Sequence, residues 1–456
     1  MRRLSEATYA AGPRPERVGI LHLGLGAFHR AHQAVFTEDA GAAEWGICGV
    51  TQRSATVADQ LRPQDCLYSV LERGRDAVDC RVVGVVRDVL FAEAEPERLR
   101  QRFSDPAVRI VSLTVTEKGY TKDAAVVDRL VRGLDARRRG SGAPVTVLCC
   151  DNLTANGRTL RRLVQQHCAA LPPADGEALA EWIASNVRFP STMVDRIVPA
   201  TTAEDRAEVA ARLGLADEAA VVAEPFRQWV IEDDFAAGRP EWERAGAQFT
   251  GDVGRFETMK LRLLNGTHSL LAYLGALRGH DTIAQAVADP DIAEAARGLL
   301  ERDALPTLAV PEGVDAPGYV ADVLERFANP ALRHRTTQVA MDGSQKLPLR
   351  LLGTIRDRLA AGRTPVYAAR AVAAWMVYVA VGRDRDGRPL PLEDPLADRL
   401  RAAAGSAGER AAGKAIVDGL LAVREVFGGD FAELADHAEL RAVLEEQVRE
   451  LLPGRP

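Results

Sequence analysis

The chain has 456 residues, 47% hydrophobic and 27% charged, with a formal net charge of −6. That length exceeds one ordinary core and predicts two domains of a globular protein. The acidic balance argues against a nucleic-acid partner, which needs a basic face, but leaves a small anionic substrate open.

Val18 to Leu23 (VGILHL) reads as a buried first strand, and Ile47 to Val50 as a second. Val82 to Val86, Ile110 to Val115 and Val145 to Cys150 read as further strands, with helical stretches such as Asp123 to Arg139 between them. Strands alternating with helices predict a parallel sheet covered on both faces. From about Glu257 onward the chain is rich in Ala, Leu, Arg and Glu, with helical periodicity and Pro/Gly punctuation at Ala316-Pro317-Gly318 and from Gly382 to Pro391. The expected fold class is therefore α/β plus all-α: a parallel-sheet domain over residues 1–251 and a mostly helical domain over residues 252–456. The Ala/Gly-rich stretch Ala402 to Gly413 reads as a surface connection. No apolar run approaches the roughly 20 residues of a membrane span. Met1-Arg2-Arg3-Leu4-Ser5 leads into no hydrophobic signal core, so a cytoplasmic protein without membrane association is expected.

The first strand runs into Gly24-Leu25-Gly26-Ala27-Phe28-His29-Arg30. A strand, a G-x-G turn and a helix start are what a dinucleotide pyrophosphate needs: backbone that can approach closely, and helix N–H groups that favour negative charge. His29 stands where a G-x-G-x-x-G pattern has its third glycine, so the motif alone is weak and a plain strand-to-helix turn fits as well. Arg30 is either a phosphate-facing cation or a solvated helix residue. After the second strand, Thr51-Gln52-Arg53-Ser54 lacks the acidic residue that often receives an adenosine ribose, which leaves NAD and NADP both open.

Phe256 to His268 carries the remaining chemistry. On an α-helix Asn265 and His268 are i, i+3 neighbours, Lys260 lies about 80° round from His268, and Glu257 sits one turn before Lys260. Removing hydride from a secondary alcohol needs a base for the hydroxyl proton and donors for the developing oxygen charge. Lysine serves as that base if burial or a neighbouring cation lowers its pKa. The same spacing also fits a surface lysine, a helix-end asparagine and a core histidine. The six cysteines form no C-x-x-C pair and read as reduced core residues, and the eight histidines are scattered without H-E-x-x-H, so no metal is expected.

Several long stretches, in order, resemble the long-chain polyol-specific dehydrogenases, the family of mannitol dehydrogenases and fructuronate reductases. They are Gly24 to Gln33, Ser112 to Tyr120, Cys150-Asp151-Asn152, Phe189 to Ile197, Glu224 to Asp233, and the K-x4-N-x2-H signature of Lys260, Asn265 and His268. The resemblance spans roughly Arg17 to Gly382, and the missing third glycine is that family's own pattern.

It implies a Rossmann-type domain and a helical domain with the active site between them, NAD as cofactor, and a sugar-acid or polyol substrate. It also implies a chain able to work as a monomer. It implies Lys260 as general base, Asn152 and Asn265 as the oxyanion-stabilising pair, His268 as substrate-orienting, Asp195 against substrate hydroxyls and Glu257 on the proton path. Gly24, Gly26, Ala27, Phe28, Arg30, Thr116 and Glu117 fall on the cofactor side. Thr116 to Gly119 and Leu332 to Lys346 look more like the hexuronate branch, whereas Gly46 to Val50 matches mannitol-type enzymes at least as well. A uronate carboxylate suits a bidentate arginine, which makes Arg335, Arg333, Arg227, Lys118 and Lys346 the candidate clamp.

Overall fold

The protein is described as a computed structural model over residues 1–41, 43–115, 120, 124–405 and 412–452. It divides into two compact units, Met1–Gly254 and Arg255–Pro456.

Among the described residues, the first unit is built on twelve strands. They are β1 (Val18–Leu23), β2 (Gly46–Thr51), β3 (Tyr68–Arg73), β4 (Val78–Val83), β5 (Val86–Phe91), β6 (Ile110–Leu113), β7 (Val145–Cys149), β8 (Val187–Arg188), β9 (Thr192–Asp195), β10 (Val221–Ala223), β11 (Gln228–Glu232) and β12 (Gln248–Thr250). Six form the main sheet in the order β5-β2-β1-β6-β7-β8, with every pairing parallel. Strands covered on both faces have no polar side to alternate with, which is why β1 and β2 read as continuous apolar runs. Alternation still sends successive residues to opposite layers. Ile20 packs with Phe36, Ile47 and Trp229, while Leu21 and Leu23 pack with Leu113, Leu130 and Val131. The order reverses between β1 and β6, so the crevice beyond their carboxyl ends is where a doubly wound sheet takes its ligand.

One predicted strand is really two. The run from Val82 to Val86 breaks at Gly84-Val85: β4 belongs to a three-stranded sheet (β10-β3-β4) and β5 to the edge of the main sheet. The Glu38 carboxylate makes the break by accepting the N–H groups of Gly84 (2.6 Å) and Val85 (2.8 Å), where a ladder would otherwise continue. Burial pushes the Glu38 carboxyl above its ordinary range. A third sheet, β12-β11-β9, completes the unit. All six cysteines are free thiols; five are buried and Cys80 is partly so.

The second unit is helical. Its axis is Val366–Val381, in which Ala368 and every residue from Ala371 to Val379 is buried, as an all-round apolar helix must be. Gly266–Leu277 and Ala438–Leu451 pack against it. Among the described residues, three wide i→i+5 turns interrupt the helices, at Leu261–Asn265, Leu299–Ala304 and Pro348–Leu352, and the first packs on both others. Such turns recur at functional sites because they re-aim side chains without ending a helix. Among the described residues, no helix is long and apolar enough to cross a membrane.

Candidate active site

At the end of β1 the two glycines have different reasons to be glycine. Gly24 has φ +102°, and a Cβ there would lie 2.0 Å from the Thr114 carbonyl oxygen. The turn is fixed by the N–H groups of Gly24 and Leu25, which both donate to the Val50 carbonyl at 2.9 and 3.2 Å. Gly26 caps the helix Ala27–Ala31 with an ordinary extended backbone (φ −90°, ψ −176°). Among the described residues, a Cβ on it would meet only the Gly24 carbonyl oxygen, at 3.8 Å. Open room over a helix start at the sheet's switch point fits a dinucleotide pyrophosphate.

The absent third glycine is explained by packing. In G-x-G-x-x-G that glycine lets the helix lie close to the strand. Here the His29 ring stacks flat on His22 of β1, with centroids 3.4 Å apart, so an aromatic pair fills the same gap. His22 is tied in turn, with Nδ1 2.8 Å from Ser112 Oγ and Nε2 3.1 Å from the Gly24 carbonyl oxygen. Burial pushes His22 down to about 3 and His29 well below the ordinary imidazole range, so both rings are neutral. Phe28 stacks on His32 at 5.0 Å and is half-buried, as is Ala27. The Arg30 guanidinium is buried, donates to the carbonyls of Ala219 and Gly26, and lies 5.5 Å over the Tyr68 ring. Thr116, Glu117 and Lys118 lie outside the described residues. The chain on either side of them is anchored to Asp151, which accepts the Val115 N–H at 2.9 Å and the Tyr120 hydroxyl.

Asn152 and Asp195 are positioned by one buried amide. Asn156, at the start of the helix Asn156–Ala169, donates from Nδ2 to the carbonyls of Cys149 (3.2 Å), Asp151 (3.0 Å) and Thr192 (2.8 Å). Its Oδ1 accepts the Thr192 N–H at 2.9 Å. The loop bearing Asn152, which is exposed, is thereby stitched to β9, whose last residue is Asp195, 4% exposed.

In the second unit Lys260 ends the helix Val253–Lys260, and Asn265 ends the wide turn that follows. On an unbroken α-helix these two would stand about 140° apart. The i→i+5 turn, closed by the Gly266 N–H to the Leu261 carbonyl, brings residues five apart towards one face. Glu257 and Lys260 are buried at 7% and 6% exposure. The turn is braced by Arg262, which donates to Thr307 Oγ1 at 2.7 Å and pairs with Asp357 at 2.6 Å.

His268 sits between Phe327 (4.9 Å) and His334 (4.8 Å), and its Nε2 is buried without a hydrogen-bond partner among the described residues. Burial and the neighbouring His334, Arg350, Lys346 and Arg326 hold His268 well below the usual imidazole range. A neutral ring with an open nitrogen is suited to a ligand oxygen.

The clamp candidates fall in both units, and Lys118 lies outside the described residues. Lys346 is half-buried and donates to the Val339 carbonyl at 3.3 Å. Arg333 (φ +46°) and Arg335 are exposed on the segment entering the short helix Thr336–Val339. Arg227, in the other unit, pairs with Asp39 at 2.7 Å and stacks 4.7 Å over Phe36. Among the described residues, no group of three or more His, Cys, Asp or Glu side chains could hold a metal.

Residues 18–244 match the mannitol dehydrogenase Rossmann domain, and residues 252–452 the mannitol dehydrogenase C-terminal domain. The chain belongs to the mannitol dehydrogenase family. It is 41% identical to the D-mannonate oxidoreductase of Escherichia coli K12, over 91% of this chain and 90% of that one. It is 36% identical to the polyol:NADP oxidoreductase of Gluconobacter oxydans, over 83% of each. Among solved structures, the Pseudomonas fluorescens mannitol 2-dehydrogenase ternary complex with NAD and D-mannitol superposes with a TM-score of 0.85. That structure is 35% identical and the match covers 99% of this chain and 97% of that one. This mannitol dehydrogenase family member is thus a nicotinamide-dependent alcohol dehydrogenase.

Two residues that the structure places beside these candidates were not singled out by sequence reasoning. Asn156 follows Asn152 by four positions and gives no signal in the sequence, because its link to Thr192, 36 residues on, exists only in the fold. His334 stood inside the Leu332 to Lys346 stretch, but the arginines on either side drew the charge argument to themselves.

Proposed function

We propose that this protein interconverts a 2-keto sugar acid and its secondary alcohol, with D-fructuronate and D-mannonate as the pair and NAD(H) as cofactor. Lys260 carries the reading: a lysine held at 6% exposure, beside buried Glu257 and ahead of Asn265 and His268, is costly to bury unless its amine has work to do. Bound NADH would supply the hydride to the keto carbon. Protonated Lys260 would give its proton to the oxygen that becomes the alcohol, and in oxidation it would take that proton back. Glu257, one turn earlier, would pass protons between Lys260 and solvent. Asn152 and Asn265 would donate hydrogen bonds to the reacting oxygen as charge develops on it. His268, neutral, would orient the substrate, and Asp195 would accept from its hydroxyls.

Support for a sugar acid comes from the 41% identity to a D-mannonate oxidoreductase and from the cationic residues Lys346, Arg333 and Arg335 on one stretch of chain. Cofactor-side residues Gly24 and Gly26 favour a dinucleotide, and the missing acidic residue after β2 leaves room for NADP. A second reading, D-mannitol oxidised to D-fructose, draws on the similarity to the mannitol 2-dehydrogenase complex.

The deciding experiment is NADH and NADPH oxidation with fructuronate and fructose side by side, repeated with Lys260→Ala. Expected is turnover of fructuronate in preference to fructose, and a loss of kcat of about 10²–10⁴-fold in the variant with NADH affinity unchanged. Turnover of fructose alone would assign the polyol reading. A variant within threefold of the parent would remove Lys260 from the chemistry.

A further inference from the structure

The cluster around His268 contains a second imidazole that the reading above leaves idle. His268 and His334 meet edge to face, with ring planes at 68° and centroids 4.8 Å apart, and Phe327 lies against His268. His268 Nε2 and His334 Nδ1 are both buried with no hydrogen-bond partner among the described residues. One unmet buried polar atom costs roughly 1–3 kcal/mol. Two on touching rings make physical sense where a ligand's oxygens meet them.

The His334 ring is held in place by its own backbone. Arg333 before it takes a left-handed turn at φ +46°, the His334 carbonyl accepts the Ile283 N–H at 2.9 Å, and Arg335 after it bridges to Thr282. The charges bearing on the pair are cationic: Lys346, Arg350 and Arg326 on His268, and Lys346 on His334. Each neutral ring offers one N–H donor and one lone pair, which suits hydroxyl and carboxylate oxygens, and a cationic surround favours the anionic member.

We propose that His334 is a substrate-binding residue that, paired with His268, receives neighbouring oxygens of an open-chain sugar acid. The assignment rests on the sugar-acid reading above. His334 contributes affinity and orientation, while proton transfer stays with Lys260.

The test uses full-length His334→Ala and His334→Asn, because an asparagine amide can stand near the place of the imidazole Nδ1. KM and kcat are measured for whichever of fructuronate and fructose the parent reduces, with the NADH dissociation constant and Tm alongside. Losing contacts that bind substrate and transition state alike raises KM and spares kcat. Expected for His334→Ala is a KM raised by about tenfold or more, equivalent to about 1.4 kcal/mol, with kcat, NADH affinity and Tm near the parent's. Expected for His334→Asn is recovery of most of that KM. An unchanged KM in His334→Ala, an Asn variant no better than Ala, or KM, kcat and Tm deteriorating together would each overturn the assignment. A parent that reduces neither sugar overturns the sugar-acid reading, and this assignment with it.

Discussion

Gly24 and Gly26 stand two residues apart, yet the structure gives their alanine variants opposite outcomes. Gly24→Ala forces a side chain onto φ +102°, which costs about 1–2 kcal/mol for an L-residue. It also aims a Cβ at 2.0 Å from the Thr114 carbonyl oxygen, a clash with backbone that cannot rotate away and adds roughly 1–3 kcal/mol. The sum, about 2–5 kcal/mol, corresponds to a fall in Tm on the order of 10 °C for a unit of this size. Gly26→Ala meets neither obstacle, since its φ of −90° is ordinary and its Cβ has nothing nearer than 3.8 Å among the described residues. Its Tm should stay within about 2 °C of the parent's, because surface changes away from strain are usually within about 0.5 kcal/mol.

If the open room over Gly26 is where a pyrophosphate approaches the helix start, the added methyl pushes it away from the N–H groups. NADH should then bind at least about tenfold more weakly, a loss of about 1.4 kcal/mol. Thermal denaturation and NADH fluorescence titration on both variants provide the assay. Gly26→Ala binding NADH as tightly as the parent would refute the placement of the cofactor, and Gly24→Ala melting with the parent would refute the strain argument.

Asn156→Ala removes the amide that joins β7 to β9 and takes the acceptor from the buried Thr192 N–H; about 1–3 kcal/mol of stability should go, read by chemical denaturation, together with kcat through the slackened Asn152 loop. Burial, then Lys346, pushes His334 down to about 4 from its ordinary 6.5. The unfolded chain therefore takes up a proton there that the folded one refuses. The contribution is complete above pH 6.5 and is lost as pH falls towards 4, by up to about 3 kcal/mol. His334→Asn should flatten the parent's denaturation free energy across that window, and an unchanged slope would contradict a neutral His334. For the clamp, Lys346→Met and Arg335→Ala should raise KM for fructuronate and leave that for fructose within about threefold. Equal effects on both sugars would make these residues structural. Arg227→Met should instead lower stability by about 1 kcal/mol through its Asp39 pair and Phe36 stack, and a selective KM effect on fructuronate would reverse that expectation.

The sequence by itself determined the elements whose signals are local. β1 runs from Val18 to Leu23 as read, because a strand buried on both faces must be apolar throughout. The turn after it declares itself through Gly24 and Gly26, and the helical second half through its period. The Lys260, Asn265 and His268 signature is legible because its residues lie within nine positions of one another, and it is the basis of the site proposed above.

What only the tertiary structure decided are relations between distant parts of the chain. Val82 to Val86 has the composition of a strand, but composition does not say that Glu38 divides it between two sheets. His29 looked like a defect in a glycine motif until His22 was seen beneath it. Arg30 and Arg227 carry the same charge in sequence as any phosphate or carboxylate ligand, yet in the fold their guanidiniums are engaged by Ala219, Tyr68, Asp39 and Phe36. A side chain's type fixes what it can bond to, and only packing fixes which partner reaches it first. The wide turn at Leu261–Asn265 is the same lesson within one helix: the signature was legible, but the face it presents depends on a backbone register that periodicity alone takes to be unbroken.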